Sequence, residues 1–500
     1  MSLRTILILL AALLLFGGGL TYYMAGQEPG PLVTIHKPTA VGLGPLTFEA
    51  SIDSVGTRLT RIEATLEQHG RTFPVFSLAA PGSARFLQET PDRIRITREF
   101  PAGSMNGLKD GTARLTVTAT RQVLRGLRSA ETVTARDVTV QVTRPAVAVV
   151  STHHYVKLGG AELVIYRVSP PDASSGVQVG NRFYPGFPAA GVNPSRQGLD
   201  PALRVAFFGL LYDQELTSPI RVVARDVAGN EASAEFDHKA LAASFDRRTV
   251  PIDDGFLARV VPAILTGTPD LKLPSATPEE RLAAFLTING DLRQKNEQKI
   301  IETTRESTPE MLWKGTFLRM GGASSEAVFA DHRTYEHHGR QIDAQVHLGV
   351  DLASVRGAAI KAANTGRVIF AGYLGIYGNC VILDHGVGVQ SLYAHLSTTD
   401  VEPGDRVERG ETIGHSGMTG LAGGDHLHFS MLLGGRPVNP IEWWDPHWIA
   451  DRVTRKLVEA GLIDAAAAGT APAESQAAKA PPKKKAPARA PKPAPGTRKR

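Results

Sequence analysis

The chain of 500 residues contains a single cysteine, Cys380. One thiol closes no intramolecular disulfide and builds no Cys-rich zinc module. A net positive charge is lacking too, once the basic residues are located. The formal net charge is +6, but residues 465–500 hold six Lys and three Arg against one Glu, so the 464 residues before them sum to −2. That near-neutral body lacks the electrostatic footprint of a nucleic-acid-binding protein, and no nucleic-acid partner is expected. Compositional extremes are missing as well. With 42% apolar and 21% charged residues the chain is neither wholly disordered nor collagen-like. At about 150 residues per domain, its length implies roughly three domains.

What is present begins with an uncharged run from Thr5 to Ala25. At about 1.5 Å rise per residue such a run spans a bilayer core. Arg4 and the α-amine precede it, no Lys or Arg follows until Lys37, and Tyr22 and Tyr23 fall at its outer end. The positive-inside bias then puts the N-terminus in the cytoplasm and the rest of the chain outside. The expectation is an N-terminal membrane anchor over residues 1–26, a single pass through the inner membrane, with everything after it facing the periplasm. A cleaved signal peptide is the alternative; Tyr23 sits where a small residue would precede cleavage after Ala25.

The remainder divides by pattern. Residues 30–145 carry alternating stretches such as PLTFEASID (45–53), RIRITREF (93–100) and ARLTVTAT (113–120), separated by Gly, Pro, Asn and Asp. Residues 146–245 repeat the theme, ending on the turn from Asp226 to Asn230. Short alternating strands with regular turns imply two Ig-like β-sandwich modules in tandem. Residues 250–310 read as a helical connector: Asp253 and Asp254 precede an apolar periodic segment, and Thr277, Pro278, Glu279 and Glu280 open a second helix as N-cap, first residue and dipole-complementing acids. Residues 311–450 return to β and Gly-rich turns. Residues 465–500, Ala, Pro and Lys with almost no large apolar side chain, are expected to be a disordered tail that could meet anionic lipid or acidic wall polymer.

Chemistry concentrates between 347 and 428, in His347-Leu-Gly-Val-Asp351, Tyr393-Ala-His395-Leu396 and Asp425-His426-Leu427-His428. Residues i and i+2 of a strand share a face, as do i and i+4. His426 and His428 can therefore aim at one point, and so can His347 and Asp351. Two imidazoles and a carboxylate with an open position suit a catalytic zinc.

Around these residues, HLGVDLA (347–353), YGNCVILDHGVGVQSLYAHLS (377–397), VEPGDRVERGETIGHSGMTG (401–420) and GDHLHFSMLLGGRPVNPIEWW (424–444) resemble, in order, the zinc endopeptidases of the lysostaphin/LytM type, peptidase family M23. The resemblance implies an antiparallel β domain over about 311–450, one Zn2+ held by His347, Asp351 and His428, and a catalytic pair, His395 and His426. It implies a metalloendopeptidase that cuts peptide cross-links of peptidoglycan. Relatives that activate other wall hydrolases supply the alternative, a latent or non-hydrolytic regulator. Family members often carry an oxyanion-stabilising Tyr shortly before the first His. Here position 341 is Gln341, and the nearest upstream tyrosine is Tyr335. Arg333, Tyr335 and Asn379 are candidate substrate-binding residues. Gly417, Gly420, Gly423 and Gly424 read as a mobile rim, Cys380 as a small core residue, and His337, His338, His415 and His447 as exposed or structural. The fold expected is thus mostly β and multidomain, with an N-terminal transmembrane helix.

Overall fold

The computed structural model describes residues 2–56 and 58–464; the expected basic tail lies outside the described residues. Helix α1 (Leu3–Ala25) is long and apolar enough to cross a membrane, and its apolar window is not buried against the rest of the protein.

The first β region is built from two sheets. One has four strands in the order 32–37, 46–53, 93–100, 85–90; the other has five, in the order 40–41, 128–140, 111–123, 59–68, 71–77. Alternation decides which side chains face inward. Along Gly111–Val123, Ala113, Leu115, Val117 and Ala119 are buried. They join Phe48, Ile52, Ile62 and Ile96 in one core drawn from both sheets.

The second β region has two four-stranded sheets, ordered 146–149, 160–169, 203–210, 187–188 and 182–185, 174–179, 220–225, 231–235. The sequence treats residues 146–245 as a module of its own. In the structure they share a continuous core with residues 313–462. Phe207 packs against Trp313 and Trp443 at 5.9 and 5.7 Å between ring centroids, and the two tryptophans lie 5.6 Å apart. A buried ion pair adds to the junction: Lys456 Nζ lies 2.6 Å from Glu162 Oε1, both side chains fully excluded from solvent.

Strand β1 (Arg247–Ile252) leads into α2 (Asp254–Gly267), then α3 (Pro278–Thr287) and α4 (Arg293–Thr303). Helix α3 starts on a capping box. Thr277 Oγ1 accepts the Glu280 N–H, and Glu280 Oε2 accepts the Thr277 N–H. Leu257, Val260, Val261, Phe285 and Ile288 bury one face of these helices against Tyr335 and Ile376.

Beyond them β1 joins a three-stranded sheet with β2 (Asp331–His337) and β3 (Arg340–His347), running parallel to β2. An eight-stranded antiparallel sheet holds β4 (Val350–Ala353), β5 (Gly366–Tyr373), β6 (Asn379–Gly386), β7 (Val389–Leu396) and β8 (Leu427–Leu433), with β8 between β4 and β7. Its centre is buried on both faces: every residue of β7 and β8 is buried. Cys380 lies in this core, where burial pushes its thiol pKa up.

Candidate active site

His347 ends β3, Asp351 lies in β4 and His428 in β8. The i/i+4 reading puts His347 and Asp351 on one strand face, and the structure corrects it. The strand is interrupted at Leu348–Gly349, where the chain crosses from the three-stranded to the eight-stranded sheet. A Cβ at position 349 would fall 2.5 Å from the His428 ring, so the crossing needs glycine. Register does the rest. Asp351 lies directly across from His428, and Ala394 of β7 faces His428 from the other side. His395 follows in a bulge. From Tyr393 to Leu396, β7 spends one residue more than β6 spends from Val381 to Asn379. His395 has φ +63°, a left-handed conformation uncommon for a side chain of this size. His426 precedes β8, its N–H bonded to Gly417 O at 3.1 Å.

Three donor atoms meet. His347 Nε2 lies 2.9 Å from Asp351 Oδ1 and 3.0 Å from His428 Nδ1, and His428 Nδ1 lies 3.0 Å from Asp351 Oδ1. Three ligands on one face of an ion with bonds of about 2 Å stand roughly 3 Å apart, so the triangle fits zinc. Two imidazole nitrogens and a carboxylate are also the donor chemistry zinc takes. Each ligand is oriented from behind, as such ligands usually are. His347 Nδ1 meets Val328 O at 3.1 Å, and His428 Nε2 meets Ser430 Oγ at 3.1 Å, whose hydroxyl donates to Leu348 O. Arg333 Nη2 donates to Asp351 Oδ2 at 3.1 Å.

His395 and His426 stand beside this triangle, 4.9 Å apart between ring centroids. His395 Nδ1 lies 2.8 Å from Thr419 O, and His426 Nδ1 lies 2.8 Å from Gly424 O. A carbonyl only accepts, so each Nδ1 carries the hydrogen and each neutral ring keeps a bare Nε2. Electrostatics separates the pair. Burial, with His426 and His428 nearby, holds the His395 pKa well below the ordinary imidazole range. Burial opposes protonation of His426 as well, but the Asp351 carboxylate, with Oδ1 3.6 Å from His426 Nε2, outweighs it and raises that pKa. Burial also pushes Asp351 up, yet the charge of His347, its hydrogen bonds with His347 and His428, and nearby His426 hold its carboxyl well below the carboxylate range. Burial brings His428 down to about 4.

The cleft encloses about 120 Å³. The five residues singled out for metal and catalysis all line it or lie in it. The candidate substrate residues fare differently. Arg333 lines the cleft, but its guanidinium is committed to Asp351 and Asp331. Tyr335 borders the cleft with its ring packed on Phe285, 5.9 Å away. Asn379 is not among the lining residues; its amide donates to Leu396 O and Ser397 O and braces the bulge. Of the expected rim glycines, Gly417 and Gly420 are packing positions, where a Cβ would meet Ser397 N at 2.6 Å and Gly378 N at 2.4 Å. The sequence reading missed Tyr377, which opens one of the matched stretches and lies 5.8 Å from His428 between ring centroids. It also missed Arg293 and Glu297 of α4, which wall the cleft from the connector and carry no motif signal.

Residues 345–440 match the profile of peptidase family M23. The DD-carboxypeptidase/endopeptidase Mpg of Neisseria meningitidis serogroup B is 42% identical over 97 residues, 19% of this chain and 22% of that one. The murein hydrolase activator EnvC of Escherichia coli is 33% identical over 150 residues, 28% of this chain and 36% of that one. This chain therefore covers about a fifth and about a third of these two relatives. Among solved structures, a peptidase M23 from Pseudomonas aeruginosa aligns at 21% identity with a TM-score of 0.34, over 57% of this chain and 92% of that one.

Proposed function

We propose that this chain is a zinc metalloendopeptidase that hydrolyses the peptide cross-links of peptidoglycan in the cell envelope, held at the inner membrane by α1. The observation that carries the reading is the pairing of a zinc-sized donor triangle with two histidines whose Nδ1 hydrogens are spent on carbonyls. Zinc in that triangle supplies a Lewis acid for the scissile carbonyl and lowers the pKa of water to ~7. The protein supplies the rest. His347, Asp351 and His428 hold the ion, with Arg333 fixing the free carboxylate oxygen of Asp351. The bare Nε2 of one catalytic imidazole takes a proton from the attacking water and returns it to the leaving amine. The other ring, protonated at Nε2, donates a hydrogen bond to the developing oxyanion. Either of His395 and His426 can fill either role on this geometry.

The first β region, read as an Ig-like module, acts as a spacer that carries the cleft away from the membrane towards the wall, while the second packs into one core with the cleft-bearing residues. The basic residues 465–500 add attraction to anionic lipid or wall polymer. The test is digestion of isolated cross-linked peptidoglycan by the full chain in detergent. Dimeric muropeptides are expected to give way to monomers, and the product masses name the bond. Chelation and His347→Ala are each expected to stop the reaction; an unaffected muropeptide profile with a folded, zinc-loaded protein contradicts the reading.

A second reading, a latent enzyme or an activator of other hydrolases, is favoured by one observation: Arg293 and Glu297 of α4 stand in the cleft wall. The double variant Arg293→Ala/Glu297→Ala distinguishes the two. Faster hydrolysis supports latency, and slower or unchanged hydrolysis counts against it.

A further inference from the structure

A second set of donors is assembled away from the cleft, by sheet register. β1 and β2 run parallel with Ile252 paired to His337, so Asp254, two residues on, arrives beside the tip of the β2–β3 hairpin. The tandem acids divide their roles. Asp253 caps α2, its Oδ1 accepting the Phe256 N–H at 2.7 Å. Asp254 turns to the hairpin instead, with Oδ1 2.9 Å from His337 Nε2 and Oδ2 3.3 Å from His338 Nε2. The two rings lie 4.1 Å apart between centroids, and one donor atom from each of the three residues falls within 4.8 Å of the others. His338 has φ +49° and Gly339 φ +73° in the two-residue turn joining β2 to β3. Asn, Asp and Gly are the ordinary residues of such a turn. A hairpin needs no imidazole there.

We propose that Asp254, His337 and His338 form a second divalent-metal site, of the zinc class, that ties α2 to the β2–β3 hairpin. The donor set is chemically that of the cleft, two imidazole nitrogens and a carboxylate; here each carboxylate oxygen faces one ring, Oδ1 towards His337 and Oδ2 towards His338. Zinc accepts this set, with water completing the coordination on the exposed side. The site does not depend on the proposed activity, but its position gives it a consequence for the cleft. Arg259, in the second turn of α2, donates to Ala422 O and Gly423 O, each at 3.3 Å. Those carbonyls lie on the segment that leads to His426. An ion that pins the first turn of α2 therefore steadies one rim of the cleft.

The test uses the full chain, stripped with chelator and titrated with Zn2+ against a chromophoric competitor. Wild type is expected to take up two equivalents, His428→Ala one, and His338→Asn one. Asn suits the turn, so His338→Asn keeps the fold, and Asp254→Asn serves as a near-isosteric second variant. The second equivalent is also expected to slow amide exchange in 254–267 and 417–424 of wild type and not of His338→Asn. A single equivalent in wild type that His338→Asn retains and His428→Ala loses overturns the site and leaves Asp254 as an ion-pair partner of the two histidines. Uptake by His338→Asn and Asp254→Asn equal to wild type overturns it too. Two equivalents with unchanged exchange would overturn the link to the rim.

Discussion

Position 349 shows how closely the site is built. A methyl group there would meet the His428 ring at 2.5 Å. Gly349→Ala is expected to displace that ligand and lose most bound zinc, which metal analysis after dialysis checks. Arg333 holds Asp351 and would act through it on the proposed ion; such outer partners typically matter 10–100-fold in affinity. Arg333→Gln is therefore expected to weaken zinc binding by about that factor, read by chelator competition. That His347, Asp351, His395, His426 and His428 gather in one cleft was legible in the sequence, because their spacing and flanking residues travel together. The roles of Arg333 and Asn379 were not. Each is set by a hydrogen bond to a partner 17 or 18 residues away, and strand register rather than motif decides it.

At the scale of elements, local chemistry was legible and register was not. Thr277, Pro278 and Glu280 mark the start of α3 without any tertiary information. The break at Leu348–Gly349 and the bulge at His395 depend on which strands pair, and alternation alone does not reveal that. The sheet that carries the site also contains a titrating group outside it. His385 is fully buried, its Nδ1 on Thr365 O and its Nε2 2.7 Å from Ser391 Oγ. Burial brings its pKa down to about 4. Since that lies below the ordinary value of about 6.5, the neutral ring's contribution is fully present above pH 6.5 and is lost as the pH falls towards 4. His385 alone is expected to remove about 2 kcal/mol of stability between pH 6.5 and 5. Denaturant unfolding across that window measures it, and His385→Asn, less stable at pH 7, is expected to show a flatter dependence.

At the scale of the whole molecule, composition and pattern suggested separable modules, while the packing joins the second β region to the one that carries the cleft. Phe207, Trp313 and Trp443 are far apart in sequence and meet only after folding. Lys456 and Glu162 are 294 residues apart and wholly buried. Removing one member of a buried pair strands the other charge, at a typical cost of about 3–5 kcal/mol. Lys456→Met is expected to lose stability of that order, and Glu162→Gln/Lys456→Met to recover much of it, as thermal unfolding would report. Unchanged stability in Lys456→Met would show that the junction does not rest on this pair. The central claim concerns the cleft. The most direct test is to strip the full chain of metal and follow hydrolysis of a cross-linked muropeptide as Zn2+ is returned. Activity is expected to rise in proportion to occupancy of the cleft site in wild type, and in His395→Ala to stay at least ~10²-fold lower at the same occupancy. Hydrolysis by the stripped protein, wild-type rates in His395→Ala, or none at full occupancy would contradict the account.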